Sequence, residues 1–286
     1  MSGIDLHCHS TASDGALAPA ALIAEYRRRG IHTLALTDHD TVGGIDEAMA
    51  AGQAEGVCVL PGIELSVSWN KHCIHVVGLG IDPAAQDLLC HLEVQRRLRD
   101  ARAEEIARRL QCLGIPDTLA GARRLAQGQS IGRAHFAQYL VEAGHCPDRD
   151  SVFKRYLGSG GRAFVPAAWV PLAEGIGWIL AAGGLAVLAH PARYSLSATG
   201  MRRLLEEFRA AGGQGLEVVN ANNQESPAAA ARQAIRHGLL ASAGSDFHAP
   251  TCPWTAPERM AALPNTVTPI WTLPPLAQDV DMAQSG

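Results

Sequence analysis

The sequence predicts an α/β fold, a seven-stranded barrel related to the (β/α) type with a small helical insertion. Three observations predict it. Short apolar runs such as "LAVLAH" and "LLASAG" read as strands buried on both faces, as in a parallel sheet. Strand-like and helix-like segments alternate along most of the chain. One stretch, residues 113–163, lacks a good strand and is rich in helical and turn signals.

In order, strands are predicted over 3–9, 32–39, 57–67, 72–80, 185–190, 215–220 and 239–246. Helical patterns fall at about 19–30, 43–55, 84–112, 171–183, 200–212 and 226–238. The insertion is punctuated by Gly114, Pro116, Gly128, Gly132, Gly144, Pro147 and the "GSGG" of 158–161. The expected organisation is a barrel of residues 1–112 and 164–260, an insertion of 113–163 that recognises substrate, and an irregular Pro-rich tail of 261–286.

The 286 residues are 47 % hydrophobic and 18 % charged, enough for a sizeable core. No apolar run approaches the roughly 20 residues of a membrane span, and no basic-then-apolar leader opens the chain. The seven cysteines include no C-x-x-C pair, which fits reduced thiols in a cytoplasm. A net charge of −4 argues against a grip on long nucleic acid. Any nucleic-acid substrate is therefore expected to be short or held locally; no membrane partner is expected, and the chain is expected to be a monomer.

Chemistry is expected at the strand ends. "DLHCHS" places His7 and His9 two apart, so in a strand both imidazoles face one way and Cys8 the other. Two imidazoles aimed at one point suit a divalent metal. Asp14 follows in the loop. The second strand ends "TDHD", giving Asp38, His39 and Asp40, with Asp38 placed to orient an imidazole. Glu64 lies in the apolar run "PGIELS", where an unpaired carboxylate costs several kcal/mol. His75 alternates with apolar residues, His190 closes the fifth strand, and "GSDFH" puts Asp246 and His248 two apart. His32, His72, His91, His145 and His237 sit at strand starts or on helices and read as ordinary.

His7, His9, Asp14, His39, Glu64, His75, His190, Asp246 and His248 together offer nine N/O donors and no thiolate. That exceeds one ion's need. Two sites would use six or eight donors, and three would use all with one bridging carboxylate. The mixture suits Mn²⁺, Fe²⁺ or Zn²⁺. Three divalent ions, less three carboxylates and a bridging hydroxide, leave an excess of about +2, which matches a phosphate dianion.

The motifs "DLHCHS", "LTDHDT", "GIELS", "HVVG", "LAHP" and "GSDFH", in this order, resemble the signatures of the PHP family, named for polymerase and histidinol phosphatase. The resemblance runs from residue 3 to about 250. It implies a distorted (β/α)7 barrel, three divalent ions with Mn²⁺ foremost, and phosphoester hydrolysis. It also implies that His7, His9, Glu64 and Asp246 bind one metal, Glu64, His75 and His190 a second, and Asp14, His39 and His248 a third. Within the family, the insertion and "GRAHFAQYL" resemble phosphatases that remove the 3′-phosphate of nucleoside 3′,5′-bisphosphates, with relatives that trim short oligonucleotides from the 5′ end.

Direct attack by a metal-bridging hydroxide is the expected mechanism. Glu64, His39 and His190 are the residues assigned to catalysis, and the general acid is unassigned. Arg99, Arg102, Arg133, His135, Lys154 and Arg193 are the expected substrate-binding set. The rival readings are a histidinol phosphate phosphatase, a binuclear amidohydrolase and a non-catalytic metal-binding domain. The amidohydrolase reading is weakened because, of the only two lysines, Lys71 opens a strand and Lys154 lies in the insertion, so neither is placed to bridge metals.

Overall fold

The computed structural model describes residues 3–126, 130–221 and 226–284. Gly128, one of the expected turn signals, lies outside the described residues.

Seven strands form one sheet in sequence order: β1 (Ile4–Cys8), β2 (Thr33–Leu36), β3 (Cys58–Trp69), β4 (His72–Leu79), β5 (Leu185–Leu188), β6 (Gly215–Asn220) and β7 (Leu240–Gly244). β1, β2 and β3 pair in parallel, as do β5, β6 and β7. β4 runs antiparallel to both its neighbours. The reason is local. Only Asn70 and Lys71 join β3 to β4, and two residues can make a hairpin but not a crossover. Asn70 takes φ 52° to close that turn.

The sheet curls until its first and last strands meet. The His9 N–H donates to Phe247 O (2.9 Å) and the Asp246 N–H donates to His7 O (2.8 Å), so the barrel is nearly closed at the end that carries the histidines.

The outer helices are α1 (Pro19–Arg28), α2 (Ile45–Glu55), α3 (Gln86–Cys112), α4 (Thr118–Ala126), α5 (Arg133–Glu142), α6 (Arg149–Val152), α7 (Leu172–Ala181), α8 (Ala198–Ala210), α9 (Pro227–His237) and α10 (Leu276–Gln284). A π-helical turn, Phe153–Leu157, continues α6. Local chemistry sets several ends. α9 starts with Pro227 in its first turn behind a Ser226 side-chain cap, and stops at Gly238 with φ 61°. α2 stops at Gly56 in the same left-handed conformation. Ile176, Ile179, Leu204, Phe208 and Ala234 from α7, α8 and α9 bury against β3 to β7. Leu22, Ile23, Tyr26 and Ala48 from α1 and α2 bury against Leu34, Leu36 and Phe247.

The insertion has its own core, in which Phe136, Leu140, Val152 and Leu157 pack with Ala103, Ile106 and Leu110. The last three belong to the second half of α3, whereas Leu88 and Leu92 in its first half pack on the barrel. One unbroken 27-residue helix thus serves both cores.

The tail is not irregular as its proline content predicts. It contains α10 and a short 3₁₀ turn at Ile270–Thr272. Ile270, Leu276 and Val280 are fully buried with Ile4, Leu6, Leu79 and Leu185, and the Ala241 N–H donates to Thr268 O (2.9 Å). The tail fills the barrel at the end opposite the histidines. Its apolar residues are spaced too irregularly for the pattern to reveal this in advance.

Candidate metal centre

The His7 and His9 side chains both enter the barrel and are fully buried, while Cys8 turns outward and donates from Sγ to Ala35 O. The next loop carries Asp14. Asp38 shapes that loop by accepting from the Ser10 N–H (2.8 Å), Ser10 Oγ (2.6 Å) and Ser13 Oγ (2.6 Å). Asp38 therefore orders the loop rather than the neighbouring imidazole, contrary to the sequence expectation. Glu64 enters from β3. His75 enters from the first half of β4, because that strand runs the other way and its N-terminal part reaches the mouth. His190, Asp246 and His248 follow β5 and β7. His190 and Asp246 take φ values of 29° and 57°, uncommon for non-glycine residues and often found where function holds a backbone in place.

The nine residues converge. Glu64 is the hub: Oε1 lies 2.8 Å from His75 Nδ1, 2.9 Å from His190 Nε2 and 3.3 Å from His7 Nε2. Its Oε2 lies 2.9 Å from His39 Nδ1 and 3.3 Å from His9 Nε2. Asp246 Oδ1 is 3.1 Å from His9 Nε2 and 3.4 Å from His7 Nε2. Asp14 Oδ1 is 3.3 Å from His248 Nε2.

Donor atoms fall into three close groups: His7, His9, Glu64 and Asp246; His9, Asp14, His39 and His248; and His39, Glu64 and His75. His190 stands outside these groups despite its contact with Glu64. Buried atoms without a hydrogen-bond partner include His7 Nε2, His9 Nδ1, Asp14 Oδ1, His39 Nδ1, Glu64 Oε2 and His190 Nδ1. Buried polar atoms normally have partners. Six orphans in one converging cluster are what a site shaped for cations looks like, so the donor set fits divalent metal ions.

The electrostatics agree. Burial pushes the Glu64 carboxyl up, but His39, His75 and His7 outweigh it and hold it well below the usual range. Asp246 and Asp14 behave alike: burial opposes ionisation, while Arg193 and His7 favour it for Asp246, and His248 and His39 favour it for Asp14. Burial also opposes charge on the histidines. Asp246 and Glu64 nevertheless lift His9 to about 10, and Glu64 lifts His75 to about 10. His39 and His190 are lowered by burial, His39 to about 4. Three ionised carboxylates thus face a set of imidazoles that accept protons only in part.

A cavity of about 160 Å³ opens from His39 and His75 toward the insertion, and Arg99, Arg102, Arg133 and Arg149 line it. Arg99 is anchored by Asp40 (Nε to Oδ2, 2.6 Å) and donates to Ser66 Oγ (3.0 Å). Arg102 donates to Val165 O (2.9 Å), and Arg133 reaches Leu157 O at 3.5 Å. The Arg99 and Arg102 guanidinium groups lie 5.2 and 5.6 Å from the Trp169 ring centre, cation–π distances that hold them side by side. Burial and the neighbouring Arg133 and Arg99 lower Arg102 to about 10, and burial likewise lowers Arg133.

The rest of the expected binding set does not line this cavity. Lys154 is exposed on the π-helical turn and does not line this cavity, because that turn faces its basic residues outward. His135 is buried, and its Nδ1 accepts the Gly132 N–H at 3.1 Å, so it caps α5. Arg193 pairs with Asp246 and lies near Asn220 Oδ1 (3.5 Å). Arg149, Trp169 and Glu217 escape the sequence reading. Arg149 opens α6 and looks like one more solvated charge. Asp40 is visible but reads as a turn residue. Glu217 carries a usable signal, an acid inside the apolar strand "GLEVVN".

Lys71 is exposed on the β3–β4 turn, so neither lysine of the chain reaches the cluster. A carboxylated lysine bridge has no counterpart here.

A multi-donor cluster at the mouth of an α/β barrel, facing a cationic cavity, defines a metal-dependent hydrolase. Comparisons specify which. A PHP domain profile matches residues 5–118. The 3′,5′-nucleoside bisphosphate phosphatase of Chromobacterium violaceum is 44 % identical over 273 residues, covering 95 % of this chain and 96 % of that protein. The 5′-3′ exoribonuclease Rnm of Escherichia coli is 45 % identical over 278 residues, covering 94 % and 92 %. A solved structure described as an amidohydrolase from Chromobacterium violaceum, with bound sulfate, superposes with a TM-score of 0.91 at 43 % identity and covers 97 % of each chain. The chain belongs to the PHP family and is a metal-dependent phosphoesterase. Among the described residues, no helix is long and apolar enough to cross a membrane.

Proposed function

We propose that this enzyme removes the 3′-phosphate of nucleoside 3′,5′-bisphosphates, and that the same site trims short 5′-phosphorylated oligonucleotides. The observation that carries the reading is the juxtaposition of two cationic devices. The donor cluster fits divalent ions that would bind the reacting phosphate, and an arginine-lined cavity opens directly from it. A substrate with one phosphate would leave the second device idle, which disfavours histidinol phosphate. Two relatives above 40 % identity carry names that describe these two reactions.

The donor set would hold three ions; mixed imidazole and carboxylate donors without thiolate suit Mn²⁺, Fe²⁺ or Zn²⁺, and the family resemblance puts Mn²⁺ foremost. His7, His9, Glu64 and Asp246 would hold one, Glu64, His75 and His190 a second, and Asp14, His39 and His248 the third. His9 and His39 lie at the seams between sets, each in two of the close groups. When bound, such ions supply an acidified water as nucleophile and a sink for phosphoryl charge. Glu64 fixes the spacing of the sets through both of its oxygens.

Arg99, Arg102, Arg133 and Arg149 receive the non-reacting phosphate. Arginine grips phosphate oxygens through a planar fork, and partial burial strengthens the pairing. Trp169 stacks against two of these groups and limits their freedom, so less entropy is lost on binding. Binding energy gained there positions the ester for in-line attack.

The test compares kcat/KM for a nucleoside 3′,5′-bisphosphate with that for the matching 3′-monophosphate. The expected preference is at least about tenfold, roughly 1.4 kcal/mol. Equal values would show that the cavity does not read a second phosphate, and would make histidinol phosphate or another monoester the better reading.

A further inference from the structure

Glu217, on β6, touches two candidate ligands from outside the donor cluster. The residue is 3 % exposed. Oε1 lies 3.1 Å from His7 Nδ1. Oε2 accepts the His190 N–H at 2.5 Å and the Asn220 Nδ2–H at 3.2 Å. The packing reserves room for this arrangement. A Cβ on Gly244 would stand 2.6 Å from Glu217 Oε1 and 2.2 Å from the His7 Cβ, so only glycine fits there.

Resting on the proposed role of His7 and His190 as metal ligands, we infer that Glu217 is a positioning residue that fixes the His7 tautomer and pins the His190 backbone. A carboxylate accepting from the His190 and Asn220 N–H groups has only lone pairs to offer His7. His7 must then carry its proton on Nδ1 and present bare Nε2, the orphaned atom that faces Glu64 and Asp246. The same carboxylate anchors the His190 N–H in a backbone held at φ 29°, a conformation that needs external support. One buried group thus sets the donor atom of a residue on β1 and the placement of another after β5.

Glu217→Gln separates this role from simple packing. The amide oxygen can satisfy His190 and Asn220, but the amide nitrogen must then face His7 Nδ1. That switches His7 to the Nε2–H tautomer and aims a proton at the metal position. The readouts are zinc affinity, by competition with a chromophoric chelator, and the His7 tautomer, by long-range ¹H–¹⁵N correlation on zinc-loaded protein labelled at histidine. Wild type should show Nδ1–H at His7. Glu217→Gln should weaken zinc binding roughly 10- to 100-fold, and Glu217→Asp, still an acceptor only, should recover part of the loss. Wild-type His7 protonated at Nε2 would overturn the inference without any variant. So would unchanged zinc affinity in Glu217→Gln, provided His7→Ala loses zinc. A His7→Ala protein that keeps its full zinc overturns the ligand reading beneath it instead.

Discussion

Glu64 on β3 and His75 on the antiparallel β4 meet at 2.8 Å, Oε1 to Nδ1, across a hairpin buried on its barrel face. The same carboxylate also touches His7, His9, His39 and His190, so its two oxygens are the point through which the cluster coheres. Glu64→Gln keeps the shape but removes one acceptor and the charge. Turnover should fall by at least about a thousandfold, roughly 4 kcal/mol of barrier, and bound metal should fall below the wild-type stoichiometry. Circular dichroism should be unchanged. Near-normal kcat with full metal content would remove Glu64 from the bridging role.

Arg133 and Lys154 make a matched pair of variants. Arg133 lines the cavity beside His75, and Lys154 is exposed on the turn beyond it. Arg133→Ala should erase most of the preference for bisphosphate over monophosphate while leaving metal content intact. Lys154→Ala should change kcat/KM by less than about twofold, as expected for a solvated surface charge. The reverse pattern would place the second phosphate outside the cavity.

Proton release should accompany metal uptake. Burial opposes charge on His9 and His75, yet adjacent carboxylates raise both to about 10 in the metal-free protein. A folded value above the unfolded one gives stabilisation that is complete below about pH 6.5 and fades as pH rises toward 10. Glu64, Asp14 and Asp246 are lowered, so their contribution is present above the ordinary carboxylate range and fades as pH falls through their folded values. At neutral pH a cation must displace protons from these imidazoles. Calorimetry with zinc in two buffers of different ionisation enthalpy should show that release, and apparent affinity should climb between about pH 6.5 and 9. A flat profile over that window would contradict it.

Leu276 tests the tail. Its side chain is fully buried against the barrel, and a Cβ on Gly80 would collide with it and with Pro275. Leu276→Ala should cost about 2–5 kcal/mol in denaturant unfolding, although the residue lies at the end opposite the metal cluster. A loss below about 1 kcal/mol would mean that the tail is an accessory strap rather than part of the core.

Much of the candidate site was legible because its chemistry is costly to misplace. An acid such as Glu64 inside an apolar run, or His7 and His9 two apart on one strand, needs a partner, and the period of a strand says which side chains share a face. Direction was harder to read. Alternation gives the face of His75 but not the sense of β4, which the two-residue link Asn70-Lys71 would have revealed. Single arginines carry no positional signal, so Arg149 on the short α6 could not be told from a surface charge, while Lys154 looked as well placed as Arg133. His135 shows the converse: a histidine inside a motif can serve its own helix. The tail misled because proline marks irregular backbone without saying whether that backbone is buried.

Closure between β1 and β7 has a consequence for the order in which the molecule comes into being. Of the nine donors, His7, His9, Asp14, His39, Glu64 and His75 leave the ribosome early, but His190, Asp246 and His248 follow more than a hundred residues later. The backbone bonds from His9 to Phe247 and from Asp246 to His7 join the two ends of that interval. Such long-range pairings form late, because a long loop must close before they return any free energy. A nascent chain therefore displays only six of the nine donors, Asp14 and Glu64 among them, for much of its synthesis. The full donor set is thus assembled only when the barrel closes.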